Sequence, residues 1–183
     1  MRGLAGVLCA VLVALPVPLT AGTASASSSG GVTCSSLEGT EAWKPALPHT
    51  ARKTKPTITI NDARLTGCTS SGRAITRGTF DANIKWLDPG NCDTLTTYTP
   101  GRAEPRIKGT ATITWNTGKT STVAVSLRKT KPYVQKLTGA VTGGKYAGSR
   151  FGVLLLIDPP KGACETKPLS NTRFDGLTNL VIQ

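Results

Sequence analysis

Between Thr110 and Leu127 the apolar residues fall on odd positions on both sides of an Asn-Thr-Gly tripeptide. Ala111, Ile113 and Trp115 precede it, and Val123, Val125 and Leu127 follow it. No other feature constrains the fold as much. Strict alternation marks a strand with one buried face, and residues directly opposed in an antiparallel pair share a face. A two-residue loop would pair odd with even positions and split the two apolar rows. A three-residue loop, Asn116-Thr117-Gly118, pairs odd with odd. Gly118 then supplies the left-handed residue of a type I turn with a G1 bulge.

The same alternation recurs along the chain. Phe80, Ala82, Ile84 and Trp86 form one face of a strand, with Asp81, Asn83 and Lys85 on the other and Asp88-Pro89-Gly90-Asn91 as the turn that ends it. Glu41-Ala42-Trp43 before Pro45, Thr57–Ile60 after Pro56, Tyr133–Val141 before Gly143-Gly144 and Arg173–Ile182 read as further strands. Phe151–Ile157 is continuously apolar, which predicts burial on both faces or a crossing at a sheet edge. No stretch keeps a 3.6-residue apolar period. The expected fold is therefore all-β: a two-sheet, immunoglobulin-like sandwich of about eight short antiparallel strands.

Arg2, the uncharged apolar run Leu4–Leu19 and Ala24-Ser25-Ala26 read as a cleaved secretory signal peptide over residues 1–26. The run is broken by Pro16 and Pro18 and falls short of the ~20 residues of a retained membrane helix. Residues 27–33 read as a flexible Ser/Gly lead, and 34–183 as a single β-sandwich domain. The expected product is a secreted, extracellular monomer with no membrane span after cleavage. Cleavage would also remove Cys9 and leave Cys34, Cys68, Cys92 and Cys164. An even number of cysteines in an exported chain points to two disulfides. With no C-x₂-C pair and only one histidine, His49, no metal or other cofactor is expected. Cys34 precedes the first strand and Cys68 follows the second. If those strands form a hairpin, the two cysteines fall at the same end, so Cys34–Cys68 with Cys92–Cys164 is the expected choice among three connectivities.

Lys and Arg number 22 against 10 acids, a formal charge of +12, and Arg2 is the only charged residue within the signal. The bases are dispersed, with no run of five. That is the pattern of a solvated basic surface rather than a nucleic-acid arm, and no nucleic-acid-binding motif is present. Outside a cell such a field attracts an anionic cell-wall or other extracellular polymer. Catalytic chemistry finds little footing: no G-x-S-x-G elbow occurs, and Asp88 and Asp158 are explained as turn residues before proline. No catalytic residue is assigned, and a non-enzymatic binding protein is the expectation. The alternatives are a hydrolase with two carboxylates meeting in space and a protease inhibitor with a disulfide-braced loop near Cys68 or Cys92. For ligand binding, the aromatic–cation neighbours Trp43-Lys44 and Lys145-Tyr146 stand beside turn residues and are expected to be partly exposed. Trp86 and Trp115 continue apolar rows and are expected in the core, and His49 in an exposed loop.

Several landmarks recur together: Thr33-Cys34, Leu65-Thr66-Gly67-Cys68, the stretch Gly109–Thr122, Gly139-x-Val141-Thr142-x-Gly144 with Tyr146-Ala147-Gly148, and Cys164 before a final strand. On these the chain resembles secreted actinobacterial proteins of unassigned function. The resemblance spans most of the chain beyond residue 26. It implies a small disulfide-linked β-sandwich and no substrate. The chain departs from it in being more basic.

Overall fold

A computed structural model describes residues 30–49, 52–72, 74–97, 106–176 and 178–183. The expected signal and the first three residues of the lead, 27–29, lie outside the described residues. The described residues form nine strands and one short helix: β1 Val32–Leu47, β2 Thr57–Ser70, β3 Gly78–Trp86, α1 Cys92–Thr96, β4 Ile107–Trp115, β5 Thr120–Lys131, β6 Val134–Gly144, β7 Arg150–Asp158, β8 Leu169–Gly176 and β9 Leu180–Ile182. β1 begins at Val32, inside the stretch expected to be a lead.

The strands do not divide into two sheets. Each of β1 to β8 pairs antiparallel with its neighbour in sequence, and β1 pairs with both β2 and β8. The result is an eight-stranded antiparallel barrel, which corrects the expected sandwich. Alternation shows that each strand has one apolar face. It is silent on whether that face looks at a second sheet or at the axis of a closed one. The β1–β8 pairing decides the matter, and it joins opposite ends of the chain. β9 runs in line with β8, pairing with β1 at Val32–Cys34 and with β7 at Phe151–Gly152. The eighth stave is thus built from two pieces. Near the break, the Leu154 amide donates to Thr178 Oγ1 at 3.1 Å.

Following the register from Ala42 through Thr59, Asn83, Thr110, Ala124, Ala140 and Arg150 leads to Gln183 and back to β1 near Gly31. After allowance for the bulge in β1, the stagger is roughly ten residues for eight strands, with the steep tilt and filled interior that this implies. The inward rows include Ile58 and Ile60, Phe80 to Trp86, Ala111 to Trp115, Val123 to Leu127, and Phe151 to Ile157, all buried. Outward rows are polar: Thr79, Asp81, Asn83 and Lys85 on β3, and Lys108, Thr110, Thr112 and Thr114 on β4. This is the reverse of a membrane barrel's apolar exterior. β7 follows the alternation too. Phe151, Val153, Leu155 and Ile157 point inward, while Leu156 is 38 % exposed, so the run is not buried on both faces.

Both expected disulfides are present, Cys34–Cys68 and Cys92–Cys164. The first joins directly opposed residues of β1 and β2. The second anchors α1, which covers one end of the barrel. There the Cys92 amide donates to Pro48 O at 2.8 Å, and Lys129 Nζ donates to the carbonyls of Thr94 and Thr97. Asn91 caps this helix through the Thr94 amide. The β4–β5 hairpin has the expected odd-with-odd register. Gly118, at φ +75°, donates its amide to Trp115 O at 2.9 Å.

Candidate functional site

Outward positions follow the same register as the core, so the sequence of each strand fixes which charges meet on the surface. Lys44 opposes Thr57, Thr57 opposes Lys85, and Lys85 opposes Lys108. Lys108 in turn opposes Ser126. Two residues beyond Ser126 on the same face, Arg128 directly opposes Lys136. Lys44, Lys85, Lys108, Arg128 and Lys136 are all exposed. They form a band across β1 to β6, near the end of the barrel that α1 covers. At a strand spacing of about 4.8 Å it spans roughly 24 Å around the surface.

Two directly facing like-charge pairs, Lys85/Lys108 and Arg128/Lys136, destabilise a ladder rather than support it. Beside the band, Arg106 is neutralised by Asp88. Its Nε and Nη2 reach the two carboxylate oxygens at 3.1 Å each, and its amide donates at 2.8 Å. These bonds hold the Asp88 carboxyl down to about 2. This is the one salt bridge among the described residues, and it lies beside the two facing pairs, not within them.

The four aromatic and basic residues singled out by sequence are not brought together. Lys44 lies in the band. Trp43 is 2 % exposed inside the barrel, not partly exposed as expected. The strand continues past Glu41-Ala42-Trp43 to Leu47, so Trp43 takes an inward position. There its ring meets Trp86 edge-on at 5.8 Å. Lys145 and Tyr146 lie at the opposite end. Tyr146 is half-buried, edge-on to Trp115 at 6.1 Å, with Lys145 Nζ 4.8 Å from its ring centroid. Burial pushes the Tyr146 phenol above its ordinary pKa, and a hydrogen bond with Ser70 draws it part-way back. Trp115 Nε1 donates to Ser121 Oγ at 2.9 Å, and that hydroxyl donates to Lys145 O. Tyr146 and Lys145 therefore serve to close this end of the barrel.

The interior holds a feature that sequence reading missed. Glu41 is fully buried on β1, one of few polar residues on an inward row. Burial pushes its carboxyl up to about 8, and the neighbouring Trp43 indole draws it only part-way back. Trp43 Nε1 reaches toward the Glu41 carboxyl without full hydrogen-bond geometry, and Trp86 Nε1 and Gln135 Oε1, also buried, have no partner within the protein. The signal was present in the spacing: Glu41 is two residues before Trp43 and so shares its face. His49, expected in an exposed loop, is half-buried with Nδ1 unpartnered. Among the described residues no group of three or more His, Cys, Asp or Glu side chains is placed to hold a metal. No described helix is long and apolar enough to cross a membrane. Comparison with protein-family models, curated proteins and solved structures finds no match in any of the three.

Proposed function

We propose that the protein is a secreted, non-enzymatic β-barrel that binds an anionic cell-wall or extracellular polymer along the band of Lys44, Lys85, Lys108, Arg128 and Lys136. The observation that carries this reading is the pair of facing like-charge contacts, Lys85/Lys108 and Arg128/Lys136. Each is unfavourable by about 0.2–1 kcal/mol in the free protein. A polyanion laid across the band turns that repulsion into attraction. The two disulfides suit an extracellular setting.

Dextran sulfate and purified cell wall serve as probes, with retention measured against salt. Replacing Lys85, Lys108, Arg128 and Lys136 by Ser is expected to abolish retention at about 0.1 M salt, where charges remain felt over ~10 Å. Replacing Arg64, Arg77, Lys119 and Arg150, four cations outside the band, removes the same charge and is expected to leave most of it. Equal loss in both variants would reduce the effect to net charge and defeat the reading.

A second reading, a braced inhibitor loop, draws on one observation. Asn116 Oδ1 accepts from the amides of Thr76 and Arg77, and its Nδ2 donates to Ala74 O. These bonds pin the connection that follows Cys68. Titration of a trypsin-like protease tests it, with stoichiometric inhibition as the supporting result and turnover of the loop as the opposing one.

A further inference from the structure

We propose that the outer face of β7 is a docking surface for a second copy of this chain. The continuously apolar run Phe151–Ile157 keeps Phe151, Val153, Leu155 and Ile157 inside, which turns Leu154 and Leu156 outward, where most other positions are polar. The register then fixes what flanks the two leucines. In one row Arg128 opposes Lys136, and Lys136 opposes Leu154. In the next row, one outward step along the strands, Val134 opposes Leu156, Leu156 opposes Asp175, and Asp175 opposes Glu38. Leu154 and Leu156 thus lie between a facing pair of cations on β5 and β6 and a facing pair of acids on β8 and β1. All four charged residues are exposed.

Like charges directly opposed destabilise a ladder, and neither pair is relieved within the molecule. Arg64 and Arg173 border the acids, yet no salt bridge joins them to Glu38 or Asp175 among the described residues. Glu38 instead accepts from the Ser36 hydroxyl at 2.8 Å. A partner of one sign answers only half of this face. A polyanion or an anionic lipid surface would be repelled by Glu38 and Asp175. A second copy carries both signs, on opposite sides of the same apolar strip. A two-fold axis lying in the strip, roughly along β7, lays the leucines of the two copies together and turns β5 and β6 of each over β8 and β1 of the other. The cation and acid pairs are one outward step apart, about 7 Å, which a tilt of the axis takes up. Every contact then occurs twice, as a closed pair requires.

The face is small. From β5 to β1 it is about 19 Å wide, and β7 makes it about 30 Å long. That is under about 600 Å² per copy, short of the ~800 Å² of a standard interface, and the curvature of the barrel trims it further. The formal charge of +12 also opposes association. The pair is therefore weak, in place of the monomer expected from the sequence. It shares Arg128 and Lys136 with the cationic band and leaves Lys44, Lys85 and Lys108 free of it, so it does not rest on the polymer reading.

The test is sedimentation velocity on the disulfide-bonded protein from about 5 to 500 µM, the range in which so small an interface associates. Salt is held at about 0.1 M, where net charge is screened beyond ~10 Å and contacts across the interface are not. A monomer–dimer equilibrium is expected. Leu154→Ser with Leu156→Ser should weaken it at least tenfold. Lys136→Asp and Asp175→Lys should each weaken it at least tenfold alone, because each sets like charges against one another across the axis. Mixed in equal amounts, these two single variants should form a heterodimer, since each supplies the charge that the other has lost. Damage to the fold cannot produce that rescue, so the mixture decides even if the leucine variant fails to fold. Three results would overturn the proposal: a wild-type monomer at 500 µM, a folded leucine variant that pairs as well as wild type, or no rescue on mixing. No polymer enters the assay, so its failure leaves the polymer reading standing.

Discussion

Glu41 ties the stability of the barrel to pH with an unusual sign. Its carboxyl titrates near 4.5 in the unfolded chain and near 8 in the folded one. Below 4.5 both states hold the proton and the contribution is complete. Between these values only the folded state keeps it, so stability falls as pH rises, by at most about 1.4 kcal/mol per unit, and levels off above 8. Ion-paired or well hydrogen-bonded acids do the opposite. Glu41→Gln should remove this slope, and urea midpoints of the two proteins at pH 5, 6.5 and 8 should converge at the acid end and diverge at the alkaline end. Parallel curves would refute the assignment. Asp88 has the ordinary sign. Its bonds to Arg106 are present above about 4 and lost as pH falls through about 2, so Asp88→Asn should flatten any acid-side change and leave the alkaline limb untouched.

Among the elements, the β4–β5 hairpin was legible in full, because its register depends on residues within twenty positions of one another. Gly118 sits at φ +75° with open space where a Cβ would go. Gly118→Ala should therefore cost only the left-handed backbone penalty, about 1–2 kcal/mol. Gly109 and Gly139 are different. A Cβ at Gly109 would lie 2.1 Å from Asn83 O and 2.6 Å from Ile84 Cα, and one at Gly139 would lie 2.2 Å from Ala124 O. At these two sites the strands bend so closely onto their neighbours that only hydrogen fits, a common device where a barrel turns. Ala at either should cost several kcal/mol or prevent folding, as judged by thermal unfolding beside Gly118→Ala. The cysteine pairing was also readable, through the shared end of the first hairpin. The cover that Cys92–Cys164 provides was not, since α1 is only five residues long and leaves no periodic trace. Removing this bridge with Cys92→Ser and Cys164→Ser should cost about 2–4 kcal/mol.

At the scale of the whole molecule, closure was what the sequence left open. Alternating rows suit a sandwich and a barrel equally, and the contacts that choose between them, Glu41 with Thr172 and Thr40 with Arg173, span most of the chain. The cationic band was hidden for the same reason: Lys85 and Lys108 look unremarkable until β3 and β4 are paired. It implies a measurable trade. Lys85→Gln with Arg128→Gln should raise stability by about 0.4–2 kcal/mol in denaturant melts while lowering polymer retention. The two-piece eighth stave has a consequence for the way the chain comes into being. The first strand formed is also the seam, and its partners β8 and β9 come last in sequence. Until they arrive, β1 offers a sixteen-residue open edge, the kind that recruits strands from other molecules. An incompletely folded copy is therefore most exposed to its siblings until β8 and β9 have paired with β1, and crowding during folding should penalise this barrel more than a sandwich of equal size.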